Sequence, residues 1–298
     1  MIWHRRTILA GIGSACAAAC VPIDPSRRGR LAAKLNIIEA ASGGTLGVAF
    51  LNTATGAIMG HNLGTRFGHC SSFKLSLAAL TLWRDQQSID DADRLVRWSE
   101  DELVAYSPFT APRTEQGATL SALAEATQKT SDNSAANVLL REFGGPEALT
   151  RFWRLIGDTG SRLDRIEPAL NHVPKGELRD TTTPAAMVRT VAALCFGEVL
   201  KDANRQTLRQ WMVDTKTGAR RVRAGLPEGW TAGDKTGTSF WPGMASLYVD
   251  IGFATPPARA PLTFATYYRA PNIQTGIDPR SEQVLAQVGE VLAEYATL

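Results

Sequence analysis

The chain has 298 residues, 44% hydrophobic and 20% charged, with 32 Lys and Arg against 29 Asp and Glu for a formal net charge of +3. Such a composition can bury one large core or two modest ones, and it excludes a disordered tail or a fibre. The first twenty residues carry Arg5 and Arg6 and no acid, so the remainder stands at +1, which removes the case for a nucleic-acid or anionic-membrane partner.

Those twenty residues, "MIWHRRTILAGIGSACAAAC", have a basic start, an apolar run from Ile8 and an A-x-A pattern at Ala17 to Ala19. The run is shorter than the roughly 20 residues that a membrane span needs, so it reads as a signal for export to the bacterial periplasm. The Arg5-Arg6 pair fits a twin-arginine route, a Sec route fits equally, and Cys20 offers a point for a lipid anchor. Next, Leu31, Leu35 and Ile38 at helical spacing predict a helix over residues 26–42, and "TLGVAFLNTATGAIMGHN" reads as two short strands joined by a turn at Asn52 to Gly56.

From about residue 72 to 210 apolar residues recur at three and four, in "TLSALAEATQKT", "SAANVLLREFGG" and "TPAAMVRTVAALCFGEVL", with Gly144-Gly145 ending one helix and Thr183-Pro184 starting another. After 230, "WTAGDKTGT", "MASLYVDIGFAT" and "PLTFATYYRAP" are β-rich, and the closing stretch puts Val284, Val288, Val291 and Tyr295 on one helical face. The simplest architecture is a two-lobe α/β (α+β) fold. Both chain ends, residues 26–68 and 214–298, share an antiparallel sheet flanked by helices, and residues 69–213 form an all-helical lobe. A cleft between the lobes is the natural site.

Cys70 and Cys195 remain once the leader is removed. Cys195 sits in a helical segment, where a buried free thiol and no disulfide is expected. His61, His69 and His172 show no HxH or HExxH spacing and CxxC is absent, so neither a metal nor another cofactor is expected.

Three short motifs carry chemistry. In "HCSSFKLSLAAL", Ser71 and Lys74 are three apart, which on a helix sets the hydroxyl beside the amine and makes a candidate nucleophile and base; an N-capping serine with a solvated lysine is the alternative. Ser131-Asp132-Asn133 also looks like a helix cap. Lys-Thr-Gly occurs twice. Lys216-Thr217-Gly218 follows the helical "TLRQWMV" and reads as a helix-ending turn with a solvated lysine, whereas Lys235-Thr236-Gly237 opens a strand, where glycine lets a ligand approach the backbone.

The order S-x-x-K, S-D-N, K-T-G resembles the serine β-lactamases and penicillin-binding proteins. "SRLDRIEPALNHVPKGELRDTTTP" resembles the Ω-loop of the class A β-lactamases, here about residues 162–180, with Glu167, Asn171 and Asp180 matching E-x-x-x-N and D-T-T-T-P. A penicillin-binding D,D-peptidase lacks that glutamate and is the alternative. The similarity runs from about residue 30 to the end and includes "YSP" at Tyr106 to Pro108 and "RAGLP" at Arg223 to Pro227.

The resemblance implies a monomer that hydrolyses a small-molecule β-lactam and confers antibiotic resistance. Ser71 attacks the lactam carbonyl, and the backbone N–H groups of Ser71 and Thr238 form the oxyanion hole. The acylation base is either Lys74 or Glu167 acting through a water. Ser131 protonates the leaving nitrogen, and Glu167 with Asn171 directs the deacylating water. Asn133 binds the substrate's side-chain amide, Lys235, Thr236 and Gly237 its carboxylate end, and Tyr106 walls the cleft. Arg165 and Asp180 clamp the Ω-loop, and the Glu167-Pro168 bond is cis.

Departures from the family pattern concern the substrate spectrum. "MASLYVDIGF" lacks an arginine found there in many members, and Arg221 aligns with an alternative source of that carboxylate contact, leaving Arg220 and Arg223 as surface charges. Thr238 resembles extended-spectrum and carbapenem-hydrolysing members, yet Ser239 stands where those carbapenemases pair a cysteine with the one before the nucleophile.

Overall fold

A continuous apolar run cannot lie on a half-exposed strand, and the run at Leu46 to Leu51 is buried without interruption on an inner strand of a sheet. The computed structural model describes residues 25–298, so the export signal, Cys16 and Cys20 lie outside the described residues. In chain order, helix α1 (Pro25–Ser42) leads into strands β1 (Thr45–Asn52), β2 (Ile58–His61) and β3 (Phe67–Gly68). Helix α2 (Phe73–Gln86) is followed by β4 (Leu95–Val96) and β5 (Ala118–Thr119), then by α3 (Leu120–Lys129), α4 (Asn133–Phe143) and α5 (Pro146–Leu155). After β6 (Thr181–Thr182) come α6 (Pro184–Phe196) and α7 (Asp202–Val213), then β7 (Thr231–Ser239), β8 (Leu247–Thr255), β9 (Leu262–Arg269) and α8 (Pro279–Tyr295).

The main sheet is antiparallel in the order β2-β1-β9-β8-β7, so strands from opposite ends of the sequence pair directly, Thr45 opposite Arg269 and Asn52 opposite Leu262. One face packs against α1 and α8 through Leu35, Phe50, Phe264, Leu285 and Leu292. The other packs against α6 and the remaining helices through Phe67, Val188, Leu194, Ile251 and Phe253. In α2 ten successive residues, Phe73 to Leu82, are buried, which makes it the axis of the helical part; each leucine there contributes roughly 1.5–3 kcal/mol of hydrophobic stabilisation.

Local signals place the helix ends. Thr183 Oγ1 caps α6 by accepting from Ala186 N, and α4 ends at Gly144 with φ of 92°, a left-handed conformation that glycine adopts without steric cost. The pairs β3–β6 and β4–β5, of which β4, β5 and β6 fall in the segment read as mostly helix, have no sequence signal, because two-residue strands are too short to show an alternating pattern.

Candidate active site

Residues Cys70–Ser72 form one 3₁₀ turn that feeds α2, so Ser71 and Lys74 share its first helical face. Lys74 Nζ lies 3.0 Å from Ser71 Oγ. Ser72 fastens the turn by donating from both N (3.0 Å) and Oγ (2.8 Å) to the His69 carbonyl. Strand β7 presses on the same turn: a Cβ at Gly237 would stand 2.9 Å from Cys70 Cβ and from Ser71 N, so only glycine lets the strand come this close. Cys70, Tyr106, Ser131 and Asp180 all hold positive φ, between 45° and 65°, which non-glycine residues sustain only where the surroundings impose it.

Lys74 is fully buried and also faces the Ser131 carbonyl (2.9 Å), Asn133 Oδ1 and Glu167 Oε1 (3.2 Å). Burial draws its pKa down, with Glu167 acting in the opposite direction; a lysine that sheds its proton more readily can serve as a base. Lys235, equally buried, donates to Ser131 Oγ (3.0 Å) and the Thr236 carbonyl (2.8 Å). Its pKa lies well below the ordinary value, first through burial and then through the charge of Lys74. Ser131 Oγ therefore sits between two amines, 3.4 Å from Lys74 and 3.0 Å from Lys235, which makes a short path for a proton away from Ser71.

Ser131-Asp132-Asn133 does cap a helix, and the same segment faces the two lysines. Asp132 is the N-cap of α4, accepting from Ala135 N at 2.7 Å, and it also gathers Phe109 N and Thr110 N, which fixes the loop that carries Tyr106. Asn133 N donates to the Tyr106 carbonyl at 3.0 Å, and Tyr106 itself is 60% exposed at the cleft edge.

The Ω-loop is held at both ends. Arg165 Nε donates to Asp180 Oδ2 at 2.5 Å, and Asp180 Oδ1 accepts from the backbone of Asp164 and Arg165. Asn137, which sequence reasoning missed, grips the Glu167 backbone in both directions at 2.9 Å. Its signal is a polar residue one helical turn after Asn133 in an apolar helix. Asn171 Nδ2 donates to Glu167 Oε2 at 2.7 Å, while Oε1 faces Lys74 Nζ at 3.2 Å, and the Glu167-Pro168 bond is cis.

At the other end of the cleft, Arg221 is buried rather than presented to solvent. It donates to the Gly237 and Val249 carbonyls (2.9 and 2.8 Å) and to Thr238 Oγ1 (2.6 Å), and it lines the cleft beside Thr238. Two expectations need correction. Thr217, in the copy of Lys-Thr-Gly read as a mere turn, places its hydroxyl 2.6 Å from Thr236 Oγ1 and lines the cleft, and Gly218 has no room for a side chain because Asp234 abuts it. Arg223, read as a surface charge, pairs with buried Asp234 and donates to the carbonyls of Met212 and Thr215. Both follow from α7 packing on β7, a long-range contact with no local pattern. Arg220 is exposed and pairs with Glu282 at 2.8 Å. Cys70 and Cys195 are free, buried thiols.

His69, at the start of the Cys70–Ser72 turn, stacks on Trp153 with centroids 4.8 Å apart. Burial lowers its pKa to about 4, against the pull of Asp158. The folded state therefore holds His69 neutral where the unfolded chain takes up a proton near pH 6.5. The stability it contributes is complete above pH 6.5 and declines by about 3 kcal/mol as pH falls to about 4. Melting temperatures between pH 4 and 7 are expected to fall less steeply in His69→Phe than in the wild type; parallel curves would refute the assignment.

Ser71, Ser131, Asn133, Glu167, Asn171, Thr236 and Thr238 converge on one cleft of about 640 Å³. Among the described residues no group of three His, Cys, Asp or Glu side chains could hold a metal ion. The model of the beta-lactamase enzyme family matches residues 30–296. The carbapenem-hydrolyzing beta-lactamase KPC of Klebsiella oxytoca is 40% identical, covering 86% of each chain, and beta-lactamase CTX-M-8 of Citrobacter amalonaticus is 36% identical over 91% of this chain and 92% of that one. Among solved structures, an ancestral class A beta-lactamase of Gram-negative bacteria has a TM-score of 0.83 at 45% identity, over 89% of this chain and 99% of that one. A beta lactamase from Burkholderia vietnamiensis has a TM-score of 0.84 at 41% identity, over 90% and 96%.

Proposed function

The chain belongs to the beta-lactamase enzyme family, in its class A branch, and on that premise we propose that it opens the β-lactam ring of penicillins and cephalosporins through an acyl-enzyme on Ser71. One observation carries the reading: the Ser71–Lys74 pair, which can form an ester, shares a cleft with the Glu167–Asn171 pair, which can direct water at it.

Lys74, as the neutral amine, takes the Ser71 proton while Oγ attacks the lactam carbonyl, and the N–H groups of Ser71 and Thr238 hold the oxyanion. The proton passes through Ser131 to the ring nitrogen as the C–N bond breaks. Asn133 holds the substrate's side-chain amide. Lys235, Thr236 and Thr238 hold its carboxylate, with Thr217 bracing Thr236 and Arg221 bracing Thr238. Glu167 Oε1 then draws a proton from a water oriented with Asn171 and the hydroxide adds to the ester carbonyl; as the C–O bond to Ser71 breaks, that proton passes from Glu167 by way of Lys74 Nζ to Ser71 Oγ, which restores the carboxylate and the neutral amine. The mature enzyme is exported to the periplasm and acts as a monomer; no helix among the described residues is long and apolar enough to cross a membrane.

Purified protein is expected to hydrolyse a chromogenic cephalosporin and benzylpenicillin over many turnovers. Stoichiometric, long-lived acylation without turnover would instead identify a D,D-peptidase-like protein. A carbapenem is a third substrate class, favoured by the Arg221–Thr238 hydrogen bond and by the likeness to a relative named for carbapenem hydrolysis; a kcat/KM panel over the three classes decides it.

A further inference from the structure

The inner side of the Ω-loop is secured by the Arg165–Asp180 ion pair and by Asn137. Its cleft side meets the end of β7 through a hydrogen bond from Ser239 Oγ to the Asn171 carbonyl at 3.2 Å. The exposed ring of His172 adds a stack on half-buried Trp241, with centroids 5.2 Å apart and planes 25° apart. Neither ring lines the cleft, yet each adjoins a working part. His172 follows Asn171, whose amide holds Glu167, and Trp241 lies three residues beyond Thr238, at the oxyanion side.

We propose that Trp241, through its stack on His172, is a positioning residue for deacylation. The contact sets the separation between the Glu167–Asn171 pair that directs the water and the strand end that holds the ester carbonyl. Acylation needs Ser71, Lys74, Ser131 and the Thr238 N–H; Thr238 keeps its place through Arg221 and its pairing with Tyr248, so acylation proceeds without this contact. Deacylation requires both walls of the cleft in register, and a displacement of about an ångström costs up to 100-fold in rate. Loss of one of several attachments is expected to cost about tenfold.

The proposal rests on the lactamase reading above, and its test separates the two. Wild type, Trp241→Ala, Trp241→Phe, His172→Ala and the double alanine variant are mixed with benzylpenicillin, and acylated Ser71 is followed by quenched-flow mass spectrometry. A wild type that does not turn over sinks the lactamase reading itself. If it turns over, Trp241→Ala is expected to slow decay of the adduct about tenfold and leave its formation within twofold. Where decay limits turnover, kcat and KM then fall together and kcat/KM is preserved. Trp241→Phe should restore decay, His172→Ala should reproduce the slow decay, and the double variant should be no slower than either single one. Decay within twofold of wild type, or equal slowing of formation and decay, overturns the proposal. If Trp241→Ala fails to fold, His172→Ala carries the test, since it removes only an exposed ring.

Discussion

Glu167→Ala is expected to leave a penicillin attached to Ser71, with the ester lasting about 1,000-fold longer than in the wild type, the loss typical of a missing general base. The substitution is well suited to isolate that step. The two bonds that fasten residue 167 to Asn137 involve its backbone, so alanine keeps them and the loop stays in place. The Glu167 carboxylate also raises the pKa of Lys74, so its removal moves Lys74 further toward the neutral amine, and acylation is expected to continue if Lys74 is its base, as proposed. Intact-mass spectra should show a stoichiometric adduct that persists while substrate is consumed only once per molecule. Release of the adduct at the wild-type rate would remove Glu167 from its assigned role.

Ser71→Ala is expected to lower turnover of every substrate by about 10,000-fold and to yield no adduct, since no other hydroxyl can form the ester. Stability should change little. Ser71 is half-buried, and Lys74 keeps the Ser131 carbonyl and Asn133 as acceptors once the hydroxyl is gone. The readouts are kcat with the chromogenic cephalosporin, intact mass and a melting curve. Turnover near the wild-type rate in a folded variant would move the nucleophile elsewhere.

Much of the fold was legible because the signals are local. The buried strand at Leu46 to Leu51, the caps at Thr183 and Asp132 and the stop at Gly144 depend on neighbours within four residues. The site was legible through order: three motifs that are each weak alone gained meaning from their sequence along the chain. What escaped were groups whose roles depend on distant partners. Thr217 matters because it meets Thr236, Arg223 because it meets Asp234, and Asn137 because it meets the Ω-loop backbone. Arg221 was found by alignment to a pattern, but its burial beneath Thr238 was not, because only the folded sheet puts those two side chains together.

The pairing of β1 with β9 bears on how this molecule comes into being. Thr45 finds Arg269 across nearly the whole sequence, a contact order at which chain-closure entropy makes assembly slow. The turn that carries Ser71 is synthesised early and the strand it faces late, and Gly237 reaches Ser71 only when β7 has joined that sheet. A nascent chain already containing Ser71, Lys74, Ser131 and Glu167 is therefore chemically silent, and competence arrives with the docking of its last strands.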